Sequence, residues 1–208
     1  MARGKTVYDA IWRTSTIDNS QAHQLVIDLP QQIPQLFTQR SSQYEALDIG
    51  AGIGANSIFL AQRGIHVTAV EPSIAGISKL VGFAQDHNLP IDGIHSGILE
   101  YQSKPSAKFD LVTCINVLSH LSCADAQIAL RKIADMTTSG GYHVIRSSCL
   151  DGNFNNAKIY LTNCFLTDSY KDWNILVTRC RPGTRTLDVI ESEEPVQYLV
   201  QDIVAQKR

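Results

Sequence analysis

L-D-I-G-A-G-I-G-A-N-S, residues Leu47–Ser57, sets three glycines at alternate positions, the first of them two residues after an aspartate. The residues Ala46–Gly50 read as a short apolar strand. Ala55–Arg63 carries Ile58, Phe59 and Ala61 at helical spacing, with Gly64 placed as its C′ residue. A strand, a glycine turn and a helix in that order make a cradle. Glycines permit a tight turn and close backbone approach, and the free N–H groups of a helix start attract an anionic group.

Working outward, strands and helices alternate. His66–Glu71 (H-V-T-A-V-E) alternates and is β-branched, which predicts a strand. Ser73 is placed to cap a helix reaching about Asp86, ended by H-N-L-P, and a short strand follows near Ile94. Phe109–Ile115 (F-D-L-V-T-C-I) reads as a buried strand. Ser122–Met136 is a helix with Ile128, Leu130, Ile133, Ala134 and Met136 on or near one face. Ser139–Gly141 is a turn, and Tyr142–Ser147 a further strand. Ahead of this series, Gln31–Gln43 reads as a helix plus a loop. The alternation predicts an α/β, doubly wound, mostly parallel sheet. The tail departs from it: a short helix over Thr167–Trp173, then strands over Asn174–Cys180 and Val196–Gln206. No helix fits between those two strands, so they should pair antiparallel.

The chain has 208 residues, 44% of them hydrophobic and 18% charged, with a net charge of −2. This fits one domain over 1–208: a helical lead-in over 1–44, a core over 45–150, and a C-terminal part over 151–208. The charge balance disfavours a nonspecific nucleic-acid binder, so no nucleic-acid partner is expected. The N-terminus lacks the apolar core of a secretory signal, and no apolar run approaches the roughly 20 residues that span a membrane. Cys114, Cys123, Cys149, Cys164 and Cys180 are scattered and form no C-x-x-C pair. The expectation is a cytoplasmic protein with neither a disulfide framework nor a metal site.

In a doubly wound sheet ligands bind beyond the carboxyl ends of the strands. Glu71 ends the second strand about 20 residues beyond the glycines, where an acid accepts hydrogen bonds from ribose hydroxyls. The two features together point to an adenosine-containing ligand. The spacing Gly50, Gly52, Gly54 is G-x-G-x-G rather than the dinucleotide pattern G-x-G-x-x-G, and no lysine follows as a phosphate loop requires. Asp48 would repel a pyrophosphate and attract an ammonium.

These residues, followed by V-E-P-S, F-D-L-V-T-C-I-N-V-L-S-H-L and S-G-G-Y-H-V-I, resemble the class I S-adenosylmethionine-dependent methyltransferases over roughly Ala46–Ile145. Within them the chain looks most like the small tellurite-resistance (TehB-like) enzymes, whose tail Phe165, Leu166, Tyr170 and Trp173 echo. The resemblance implies a seven-stranded Rossmann-like sheet of order 3-2-1-4-5-7-6 with an antiparallel last strand, and S-adenosyl-L-methionine as cofactor. It also implies cofactor-binding roles. Asp48, Gly50, Ala51, Gly52, Gly54 and Asn56 would line the methionine moiety. Glu71 would hold the ribose, with Pro72 and Ser73 beside the adenine. Ile98, Leu99 and Glu100 would approach the adenine through backbone or side chain, and Asn116 and Val117 would flank the sulfonium.

His120, after the fourth strand, is the candidate general base; the bland alternative is a packed histidine at a helix start. Arg13, in the lead-in, and Arg146 and Ser147, at the end of the fifth strand, are substrate candidates, with a surface ion pair as the alternative for Arg146. Tyr8 and Trp12 at helical spacing read as packing. The chain has C-I-N-V where methylases of base amino groups carry [DNS]-P-P-[YFW]. The expected activity is methyl transfer to a small molecule, an oxyanion or a thiol, by alignment and exclusion of water. Two other readings stay open: a module that binds S-adenosylmethionine without turnover, and an NAD-dependent oxidoreductase.

Overall fold

The first strand, β1 (Glu45–Ile49), is buried at four of its five positions and pairs in parallel on both sides, with β2 (His66–Glu71) and β4 (Phe109–Ile115). A strand flanked on both edges and covered on both faces is mostly apolar, which accounts for Ala46, Leu47 and Ile49; Asp48 is the buried exception. In this computed structural model the described residues are 2–17, 22–38, 41–103, 107–149, 165–185 and 196–208. β3 (Ile91–His95) and β5 (Thr137–Cys149) extend the parallel sheet outward. β7 (Val196–Gln206) pairs antiparallel with β5, and β6 (Asn174–Arg185) antiparallel with β7. The order is β3-β2-β1-β4-β5-β7-β6, with β7 reversed, as expected.

Alternation along the strands sorts side chains to two faces. Ala46, Val67, Leu111 and Val144 pack on one face against α2 (Gln24–Ile27), α3 (Leu29–Gln32) and α4 (Ala55–Ala61), and Ala69 on that face meets α5 (Ile74–Asp86). Leu47, Ile49, Val112 and Ile145 pack on the other face against α6 (Cys123–Asp135) and α7 (Phe165–Ser169). The N-terminal helix α1 (Ala2–Thr14) lies against α5.

Caps set the helix ends as the sequence suggests. The hydroxyls of Ser73 and Ser122 accept the N–H groups of Gly76 and Asp125 at the starts of α5 and α6. Gly64, at φ +86°, donates to the Ala61 carbonyl while Ile65 donates to Leu60, the paired bonds that put Gly64 at C′. Besides a longer β6 and a shorter α4, three segments differ from these expectations. Gln31–Gln43 is not a helix plus a loop but the end of α3 and two short 3-10 turns, because Pro30 and Pro34 interrupt helical hydrogen bonding. The turn read at Ser139–Gly141 is an irregularity inside a longer β5: Phe109 pairs with Thr137 but Leu111 with Tyr142, and Gly140 has φ +79°. The last helix is Phe165–Ser169, starting two residues before Thr167 and ending four before Trp173, where the chain turns.

Candidate active site

The glycine turn is built as its spacing demands. Gly50, Gly52 and Gly54 have φ of +69°, +59° and +94°, a region that costs residues with a Cβ. A Cβ on Gly50 would collide with Val117, and one on Gly54 with Leu80. Two loop amides, of Gly50 and Ala51, donate to the Val70 carbonyl at 2.8 and 3.2 Å, anchoring the turn to β2.

Glu71 joins the turn to α5. One carboxylate oxygen accepts the Gly52 amide at 2.9 Å and the other the Ser73 amide at 2.9 Å. The side chain is nearly enclosed, and burial pushes its carboxyl above the usual range, against the two amides that pull it down. Each oxygen retains a second lone-pair direction for a hydroxyl donor.

Asp48 is 1% exposed. Its oxygens accept the Ser57 hydroxyl from α4 and the Thr113 hydroxyl from β4, each at 2.6 Å. Desolvation raises its pKa, and those hydroxyls and the Ser57 backbone oppose it. The cleft would therefore feel the charge of Asp48 rather than touch its surface.

Past β4, Asn116 is exposed in a left-handed conformation, φ +60°, and its amide donates to the Arg146 carbonyl at 2.9 Å. Such a conformation at a strand end holds the next residue, Val117, over Gly50. Past β3, Ile98 is buried, Glu100 is exposed, and the Leu99 carbonyl accepts the Lys132 ammonium at 2.8 Å. The Pro72 carbonyl lies 3.1 Å from a ring nitrogen of His95. Asn56, at the start of α4, accepts the His23 amide at 2.9 Å.

Helix α1 spans the carboxyl edge of the sheet. On one side an Asp9 oxygen accepts the Ser73 hydroxyl at 2.5 Å and the Ala75 amide at 3.2 Å. These bonds, the hydroxyl first, hold its carboxyl below the usual range. The Lys79 ammonium donates to the carbonyls of Arg13 and Ser15. On the other side the Tyr8 hydroxyl meets His120 Nε2 at 2.9 Å, with the rings edge to face. Trp12 lies across Gly52 and Gly76, 3.0 and 3.1 Å from where their Cβ atoms would stand. Tyr8 and Trp12, read as packing, thus pack against site residues.

The substrate candidates separate. The Arg13 side chain is 71% exposed and pairs with Asp9 at 3.2 Å. Arg146 lies on the face that carries α2 and α4 and pairs with Asp202 at 3.2 Å. Ser147 points to the opposite face and is fully buried, its hydroxyl on the Ser148 carbonyl. Ser57, Thr113, Asp9, His23, Arg181 and Asp202 escaped the sequence reading. Asp202 alone carried a signal, an acid inside the apolar strand Val196–Gln206.

Away from this edge, His143 is fully buried between the Tyr170 hydroxyl and Thr137, each at 2.7 Å, and burial pushes it down to about 3. Among the described residues no group of acids, histidines and cysteines could hold a metal ion, and no helix is long and apolar enough to cross a membrane. Cys164 lies outside the described residues.

A sheet of this order, with an alternating glycine turn and an acid closing it from the next strand, is the arrangement that the resemblance to the class I S-adenosylmethionine-dependent methyltransferases implies. Residues 47–143 match the family described as "Methyltransferase domain". Among curated relatives, a ubiquinone biosynthesis O-methyltransferase of Rickettsia akari (strain Hartford) is 32% identical over 85 residues, covering 41% of this chain and 33% of that protein. The one from Aromatoleum aromaticum (strain DSM 19018 / LMG 30748 / EbN1) is 31% identical over 119 residues, covering 55% and 46%. The chain thus matches less than half the length of these relatives. Among solved structures, TehB from Haemophilus influenzae aligns with a TM-score of 0.71 at 21% identity, over 98% of this chain and 67% of that one. NodS, an N-methyltransferase from Bradyrhizobium japonicum WM9 in complex with S-adenosyl-L-homocysteine, aligns with a TM-score of 0.65 at 15% identity, over 98% and 97%.

Proposed function

We propose that this protein transfers a methyl group from S-adenosylmethionine to an oxygen or sulfur nucleophile of a small molecule. The bridging of Gly52 and Ser73 by Glu71 carries the reading: it places a buried acid under the glycine turn where a ribose would lie. The cradle fits the cofactor, since Gly50 and Gly54 leave no room for a Cβ and no lysine follows the turn to meet a pyrophosphate.

When bound, the cofactor supplies an electrophilic methyl on a sulfonium. In this reading the turn at Gly50–Gly54 receives its methionine end, under the negative potential of Asp48. The free lone pairs of Glu71 take the ribose hydroxyls. Pro72 and Ser73, with Ile98 and Leu99, border the adenine; Glu100, exposed and with its carboxylate against Gly97, serves less well than the backbone there. Asn116 and Val117 flank the sulfur. Helix α1 roofs the edge and excludes water, which strengthens every polar contact beneath it. His120, held by Tyr8, takes the acceptor proton as the methyl is transferred. The relatives named O-methyltransferase favour oxygen as the acceptor atom.

Formation of S-adenosylhomocysteine from S-adenosylmethionine across a panel of phenols, thiols, selenite and tellurite tests the reading. Turnover with at least one, reduced about 100-fold or more in His120→Ala, is the expected result. Tight cofactor binding with no turnover on any acceptor would support a binding module instead.

A further inference from the structure

Toward the carboxyl ends of β5 and β6, with β7 running the opposite way between them, a charge cluster gathers on the face that carries α2 and α4. Asp202, 2% exposed in its side chain, accepts from Arg146 through one oxygen and from Arg181 through the other, each at 3.2 Å. Two guanidiniums share one carboxylate, so the cluster keeps a net positive charge. Arg146 is only 16% exposed in its side chain, and its Nε–H is buried without a hydrogen-bond partner among the described residues. A buried donor left unpaired is costly and calls for an acceptor.

A third group adds to it. His23 caps α2: its Nδ1 accepts the Leu25 amide, so the neutral ring carries its proton on Nε2 as a donor. Burial first, and then the charge of Arg146, hold it neutral. The same residue's amide is tied to Asn56 at the glycine turn, and the Arg146 carbonyl is tied to Asn116. The cluster therefore abuts the cleft on the side of β5, with β4 and β1 between it and Glu71.

We infer that Arg146, Arg181 and His23 form a subsite for a carboxylate-type anion. Guanidinium and imidazole N–H donors of this kind suit the oxygens of a carboxylate. The inference rests on the methyl-transfer reading of the cleft. Its position beside β5 points to an acidic group on the methyl acceptor, and the other source of the same chemistry is the α-carboxylate of the cofactor.

Calorimetry with three probes separates these. S-adenosylhomocysteine carries the α-carboxylate, 5′-methylthioadenosine lacks it, and benzoate, titrated into protein saturated with S-adenosylhomocysteine, reports an acceptor acid. The expected result is benzoate binding that weakens at least tenfold in Arg146→Gln, with both adenosyl probes unchanged. Arg181 is half-exposed, so Arg181→Gln provides the same test in a variant less exposed to misfolding; it should weaken benzoate in the same direction. A tenfold loss for S-adenosylhomocysteine alone would keep the anion subsite and assign it to the cofactor. Wild-type protein that binds no benzoate, with adenosyl affinities indifferent to both variants, overturns the subsite. Benzoate binding to a protein that takes neither adenosyl probe would instead defeat the methyl-transfer reading and leave the subsite standing.

Discussion

At the residue scale, Asp48 shows what a buried acid does for this cleft. Its carboxyl is raised above its ordinary 3.8 because burial outweighs the hydroxyls of Ser57 and Thr113. The folded state then binds its proton more tightly than the unfolded state. That contribution is fully present below the unfolded value and is lost as pH rises through the folded one. Asp48→Asn removes the ionisation, so its stability relative to wild type should improve as pH rises above about 4 in urea unfolding; a difference independent of pH would contradict this. Asn116 supplies a second test. At φ +60°, Asn116→Val should cost about 1–2 kcal/mol and Asn116→Gly little, and equal effects would deny the strain. The glycines and Glu71 were legible because their roles are backbone geometry and charge at fixed spacing. The partners of Asp48 were not: Ser57 and Thr113 are ordinary in sequence and meet it only once α4 and β4 have docked.

At the element scale, α1 is a strap fastened by side chains. Its Asp9 accepts from Ser73 and Ala75 at the start of α5, and Tyr8 reaches His120 on the far side. Asp9→Ala should speed amide exchange across Ala2–Thr14 while β1 and β4 keep their protection, and uniform exchange in the variant would show that the strap is held otherwise. On the opposite face, α7 is pinned by the chain Tyr170–His143–Thr137, with Trp173 packed on the His143 ring. Thr137 donates to the Ile133 carbonyl, so His143 donates to Thr137 and accepts from Tyr170. Tyr170→Phe strands the buried acceptor and should cost about 1–3 kcal/mol in urea unfolding. A change within a few tenths would deny the chain. The strands His66–Glu71, Phe109–Ile115 and Val196–Gln206 have the bounds their sequence suggests, because each is a run of strand-forming residues between clear breaks. The lead-in failed because its prolines break a helical pattern into turns, a matter of local geometry rather than periodicity.

At the scale of the whole molecule, the sheet order brings the turn after β1, the acid ending β2, the strained asparagine after β4 and the arginine of β5 to one edge. The parallel character of β1 to β5 was legible from alternation, their order only from the family resemblance, and the antiparallel pairing of β6 with β7 from the missing crossover helix. The cluster around Asp202 was not, because it unites residues from three strands and α2 that lie far apart in the chain. The central claim is that this edge holds an adenosyl cofactor through Glu71 and the glycine turn. Calorimetric titration of wild type and Glu71→Ala with S-adenosylhomocysteine, and of wild type with NAD, tests it most directly. The account predicts binding of S-adenosylhomocysteine, weakened by roughly 1–3 kcal/mol in a folded Glu71→Ala, and no binding of NAD. Binding of NAD without S-adenosylhomocysteine, or an affinity unchanged by the substitution, would contradict it.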